Sequence, residues 1–194
     1  KKNNIKGILI VNTGSPSSLD SQSIRLYLKE FLSDKRVIHL PRIFWLPILY
    51  LFILPFRPQK KLKDYKKIWM KEGSPLIVLS NKLLELIKKE NNNKNYFFSI
   101  AMRYGNPKIK NQLNYFKKMG IKKVLILPMF PQYSYSTTES IKDEVKHSFK
   151  ELKWFPVTKF IGEYYNEELF INAIAEKINN SIQKIKESQF IIFT

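Results

Sequence analysis

Hydroxyl and aromatic side chains crowd into residues 128–140, Pro-Met-Phe-Pro-Gln-Tyr-Ser-Tyr-Ser-Thr-Thr-Glu-Ser. Ser134, Ser136, Thr137 and Thr138 offer donors and acceptors, while Phe130, Tyr133 and Tyr135 offer flat faces. Prolines at 128 and 131 stop a helix and stiffen the backbone. Such a set suits a ligand that is partly aromatic and partly polar, stacked on rings and oriented by hydroxyls. The apolar run Val124-Leu-Ile-Leu127 leads straight in, so the loop reads as the exit of a strand. Open α/β sheets keep their pockets at that end of their strands. Ser, Thr and Pro also fill plain surface turns, and composition alone weighs the two readings evenly.

The elements that must position this loop read as alternating strands and helices. Residues 5–11 are apolar almost throughout, as a strand buried on both faces must be, and 12–16 read as its turn. Ser21 suits the cap of a helix to about Leu32, with Ile24, Tyr27, Leu28 and Phe31 on one face. Further helices are expected at 75–89, 108–119 (closed by Gly120), 140–152 and 167–185. Further strands are expected at 96–102, 121–127, 158–161 and 189–194. The alternation predicts an α/β fold: a Rossmann-like parallel sheet with helices on both faces.

Composition narrows the classes. At 194 residues the chain holds one domain, with room for a piece of another. It has no cysteine, which removes disulfides, thiolate metal ligands and ligands for an iron–sulfur cluster. The net charge is +18, from 34 Lys and Arg against 16 Asp and Glu. So positive a field attracts anions: nucleic acid, acidic headgroups or a carboxylated small molecule. The basic residues are scattered, and no zinc-finger spacing or RNA-binding aromatic pair accompanies them, which argues against nucleic acid. His39 and His147 fall outside any motif and read as surface histidines. The segment 43–56 is the longest apolar stretch. It is shorter than the roughly 20 residues a bilayer span needs, and prolines interrupt it. Its aromatics and basic flanks (Arg42, Arg57, Lys60, Lys61) suit either a buried core segment or one lying at a membrane surface.

A resemblance sharpens this. Pro131-Gln-Tyr-Ser-x-Ser-Thr-Thr138 resembles the signature of ferrochelatases, which insert ferrous iron into a porphyrin at the end of haem synthesis. Other blocks agree in order: Gly7 to Pro16, Tyr27 to Asp34 followed by Val37 and Pro41-Arg42, Leu54-Pro-Phe-Arg-Pro58, Tyr65 to Trp69, Glu72-Gly-Ser-Pro75 and Ala101 to Pro107. The apolar insert before Leu54 resembles the proteobacterial branch. The resemblance implies a chelatase-like fold, the first of two similar domains. It puts an N-terminal domain at 1–188, with a porphyrin lip at about 41–58, and the first strand of a second domain at 189–194. The implied substrates are ferrous iron and protoporphyrin IX. The implied location is cytoplasmic, peripheral at the inner membrane surface through 43–56.

The same resemblance implies site residues. Arg57, Tyr65 and Ser74 fall where the family contacts porphyrin; an Arg fork suits a propionate, and Tyr and Ser add oriented hydrogen bonds. Arg103 and Tyr104 fall beneath the pocket, where Arg103 reads equally as a strand-end salt bridge. Thr13, Phe130, Tyr133, Ser134 and Ser136 would line the same cavity. The family's metal-facing histidine would come about two positions after Thr194. No catalytic or metal-binding residue is therefore expected within residues 1–194, and this polypeptide alone is not expected to insert iron. Two other readings are a cobalt or nickel tetrapyrrole chelatase and a non-catalytic domain that only binds porphyrin or haem.

Overall fold

The computed structural model describes residues 5–182. The strand expected at 189–194, and the domain boundary before it, lie outside the described residues. The chain divides into two units, Lys1–Gly162 and Glu163–Thr194.

The first unit is built on a four-stranded parallel sheet: β1 (Lys6–Ser15), β2 (Tyr96–Gly105), β3 (Lys123–Pro128) and β4 (Val157–Phe160), in the order β2-β1-β3-β4. Alternate residues of β1 face opposite ways. Leu9 and Val11 pack with Leu113 and Phe116 of α5 (Ile109–Lys118) and with Ile141, Val145 and Phe149 of α6 (Ser140–Leu152). Ile10 packs on the other face with Leu76, Ile77, Leu84 and Ile87 of α4 (Pro75–Glu90). Helices on both faces are thus observed, and both faces of β1 bury apolar side chains, as the near-continuous apolar run requires.

Several boundaries differ from expectation, and two have a clear physical cause. β1 does not turn at Asn12 but runs on to Ser15, because β2 is longer than its apolar core and stays paired with it through Gly14 to Tyr104 and Ser15 to Gly105. Gly14 has φ 107, and a Cβ there would lie 1.8 Å from the Tyr104 carbonyl oxygen. Only glycine lets the two backbones approach so closely. Helix α1 (Ser21–Leu32) is capped by Asp20 rather than Ser21: the Asp20 carboxylate accepts from Ser23 N–H at 2.8 Å.

The apolar segment is helical despite its prolines. It comprises α2 (Arg42–Ile48), a π-helical turn (Leu49–Ile53) and α3 (Leu54–Ile68). Pro55 stands in the first turn of α3, and the wide π-helical turn before it makes room for its ring. One side of the segment is core. Trp45, Leu49 and Leu54 are buried with Leu32, and the Trp45 indole donates to the Leu32 carbonyl at 2.7 Å. Each such side chain contributes about 2 kcal/mol by leaving water. The other side is bare: Phe44, Ile48, Phe52 and Phe56 recur at helical spacing, and all are exposed.

The second unit contributes α7 (Glu168–Ile182), preceded by Tyr164, whose ring meets that of Phe170 edge-on at 5.5 Å.

Candidate functional site

Strand order reverses between β1 and β3, so their carboxyl ends diverge and leave a crevice. Thr13 stands at the end of β1, with its N–H held by the Asn12 side chain at 2.8 Å. The loop after β3 begins beside it, tied by Met129 N–H to the Val11 carbonyl at 2.7 Å. A cavity of about 270 Å³ lies here, lined by Thr13, Phe31, Val37, Arg103, Tyr104, Phe130, Ser136 and Thr137. Phe130 and Phe31 give it aromatic wall, and Ser136 and Thr137 give it hydroxyls.

The loop's hydroxyls divide by task. Ser134 accepts from Thr137 N–H at 3.2 Å and shares a 2.7 Å hydrogen bond with the Thr137 hydroxyl, forming the π-helical turn at Tyr135–Glu139. Thr138 is buried and finds no hydrogen-bond partner among the described residues. Ser136, 3.2 Å from the Ser134 hydroxyl, and Thr137 are tied into the same turn, yet both line the cavity, and a hydroxyl with one hydrogen bond can still make another. Tyr135 latches the loop to the chain following α1: the Arg36 guanidinium lies 4.1 Å over its ring, and the His39 ring meets it edge-on at 5.1 Å. His39 and His147 are both exposed, and His147 sits 3.4 Å from Glu151.

Beneath the cavity is a closed polar network. The Asp34 carboxylate accepts from Ser140 at 2.5 Å, Arg103 at 2.6 Å, Tyr104 at 2.8 Å and Arg36 N–H at 2.7 Å. Burial works against its charge, but the Ser140, Arg36 N–H and Tyr104 hydrogen bonds and the Arg103 charge outweigh burial and lower its pKa. Burial also drives the Tyr104 phenol well above its ordinary value, so it stays a neutral donor. Arg103 further contacts Ser140 Oγ at 2.7 Å and Glu144 at 3.6 Å. Arg103 is therefore both a strand-end ion pair and part of the cavity wall.

The structure brings Thr13, Arg103, Tyr104, Phe130 and Ser136 to one place. Arg57, Tyr65 and Ser74 do not line this cavity. Arg57 is exposed on α3. Tyr65 is half-buried against Trp69, ring centroids 6.0 Å apart, and burial raises its pKa. Burial, with Tyr65 adding to it, pushes the neighbouring Tyr27 phenol up to about 12. Ser74 is buried at the start of α4, where its side chain makes no capping bond. Tyr133 is half exposed, and Ser134 is consumed by its own turn.

Sequence reasoning missed Asp34, Ser140, Phe31 and Val37. Phe31, Asp34 and Val37 belong to the blocks that carry the resemblance, and Ser140 closes the hydroxyl run, but their meeting depends on how α1, β2 and α6 converge. Among the described residues, no three His, Cys, Asp or Glu side chains gather into a metal-holding group. No helix there is long and apolar enough to cross a membrane.

Residues 5–194 match the family model for ferrochelatase. The chain is 40% identical over 186 residues to the ferrochelatase of Francisella tularensis subsp. holarctica (strain OSU18), covering 95% of this chain and 55% of that relative. It is 40% identical over 191 residues to the ferrochelatase of Alcanivorax borkumensis, covering 97% of this chain and 56% of that relative. The chain spans about half the length of the curated relatives it matches. A match over nearly the whole chain, with the cavity-lining loop inside it, means that the chain belongs to the ferrochelatase family.

Proposed function

We propose that this chain supplies a porphyrin-binding half of a ferrochelatase, the enzyme that inserts ferrous iron into protoporphyrin IX. The observation that carries the reading is the aromatic and hydroxyl-lined cavity where the strand order reverses, within a chain of that family. A tetrapyrrole is flat and apolar with acidic tails. Phe31 and Phe130 suit its face, and Ser136 and Thr137 its polar edge. Arg57, exposed and without an ion pair among the described residues, suits a propionate, with Tyr65 and Ser74 further along the same region.

The network below acts on position rather than on protons. Asp34 holds Arg103 and Tyr104 fixed, so the cavity floor does not reorganise when a ligand enters. Iron is a substrate in this reading. Its ligand and the acceptor of the pyrrole protons are assigned to no residue of the chain. The exposed face of 43–56, flanked by Arg42 and Lys60, supports a second part of the reading. It rests on the cytoplasmic surface of the inner membrane, where greasy porphyrin partitions.

Titrating the 194-residue chain with protoporphyrin IX, followed by the pigment's absorbance and by tryptophan quenching, tests the first part. Saturable binding weakened by both Arg57→Ala and Phe130→Ala is expected. Binding that neither change affects would refute it.

A further inference from the structure

A second concavity lies between α1 and α3, sharing no lining residue with the cavity at the sheet's end. It is a groove of about 580 Å³, within the size range of small-molecule sites. Its floor is apolar, from Leu54 and Pro58, both buried, while Leu26 lines it from an exposed position on α1. Its rim carries Arg25 and Lys29, one helical turn apart on α1. Like charges at that spacing repel, so the helix alone gives no reason for the pair. Neither forms an ion pair among the described residues. The nearby acids are engaged elsewhere: Asp20 by Ser18 and Ser23, Glu30 by Lys108 and Gly105 N–H, Asp64 by Lys61. Tyr50, from the π-helical turn, joins the groove to the exposed apolar segment, and its ring lies 5.6 Å from the Lys29 ammonium.

We propose that this groove holds the headgroup of an anionic phospholipid. The phosphate meets Arg25 and Lys29, while the acyl chains leave past Tyr50 along the bare side of the segment that carries Phe52. The occupant is argued from charge complementarity at the rim and from continuity of the groove with that apolar face. The inference rests on the membrane-surface reading above and adds to it a headgroup preference with a named seat.

The test is co-sedimentation of the 194-residue chain with vesicles of phosphatidylcholine alone or mixed with phosphatidylglycerol, at fixed ionic strength. Wild type should prefer the anionic vesicles. The double variant Arg25→Gln, Lys29→Gln should lose roughly twentyfold of that preference, near the electrostatic worth of two surface cations, and keep its binding to neutral vesicles. The double variant Lys122→Gln, Lys123→Gln removes equal charge at the opposite end of the sheet and should lose less than about threefold. Equal losses in the two variants would reduce the groove to bulk charge and overturn the assignment. Binding by wild type without preference would overturn the groove and leave the apolar face standing. No binding to either vesicle would overturn both. If millimolar inorganic phosphate at matched ionic strength abolishes the preference, the groove takes free phosphate and the lipid assignment fails. Circular dichroism of each variant checks that it is folded.

Discussion

At the end of the sheet, Arg103 meets Asp34 at 2.6 Å and Ser140 at 2.7 Å, so its charge is already engaged. On α3, Arg57 stands exposed beside an apolar face that nothing covers among the described residues. The first arginine already has its carboxylate; a new anion would have to break that pair. The second has none among the described residues. A rigid floor and an open arm follow from this difference. The floor spends its charges on holding its own shape, and the arm keeps its charge and its greasy surface for something else.

The sharpest way to break the comparison is to loosen the floor's backbone. Gly14→Ala sets a Cβ against the Tyr104 carbonyl in a left-handed conformation. We expect a loss of about 4 kcal/mol or outright failure to fold, read by urea denaturation. Near-normal stability would mean that the β1–β2 contact yields, and that the floor is not rigid.

Asp34→Asn should come next, at about 3 kcal/mol near neutral pH, because it strips a largely buried arginine of its main counter-charge. The pH dependence has a defined sign. The folded pKa of Asp34 is lowered, so its stabilisation is full above the ordinary carboxylate value of about 3.9 and is lost as pH falls through the folded value. The variant should therefore show a shallower loss of stability on acidification than the parent. Equal slopes below pH 4 would remove Asp34 from the network's energetics.

Arg57→Ala should do the reverse. Stability should stay within about 0.5 kcal/mol, since the side chain is exposed and forms no ion pair among the described residues. Affinity for protoporphyrin should fall about tenfold to thirtyfold, the worth of a charge-assisted hydrogen bond to a carboxylate. A stability loss with unchanged affinity would make Arg57 a structural residue and erase the contrast with Arg103.

The sequence shows these two regions unequally. The alternating elements and the place of residues 128–140 at a strand exit follow from apolar runs and prolines, which act locally. Thr13, Arg103, Tyr104, Phe130 and Ser136 are expected together because the family resemblance places them around one pocket, and Thr13, Arg103 and Tyr104 do lie at the carboxyl ends of the paired strands β1 and β2. Asp34 cannot: it meets Arg103 and Ser140 only once three distant elements pack. The run of β1 past Asn12 depends on pairing with β2, and pairing leaves no trace in local composition. The segment 42–68 misleads for another reason. Its prolines read as interruptions, yet Pro47 lies within α2, Pro58 lies within α3, and a π-helical turn leads into Pro55. Its apolar residues all look alike in sequence, although Trp45 and Leu49 are core and Phe44 and Phe52 are bare.

That last distinction yields the smallest expected effect and the finest test. Leu49 is fully buried, whereas Phe52, three positions on, is 64% exposed. Burial alone predicts that Phe52→Ser changes stability by no more than about 0.5 kcal/mol, although it removes a whole aromatic ring. A ring kept in water at no structural benefit is a liability for solubility unless a surface covers it. If that surface is a membrane, the same substitution should lower binding to phosphatidylcholine vesicles about fivefold, because the ring then leaves water only on binding. It should do so without touching the preference for anionic headgroups, which depends on Arg25 and Lys29 rather than on the apolar face. Vesicle binding unchanged by Phe52→Ser, in a chain that still binds, would move the contact surface away from this segment and leave its exposed side without a task.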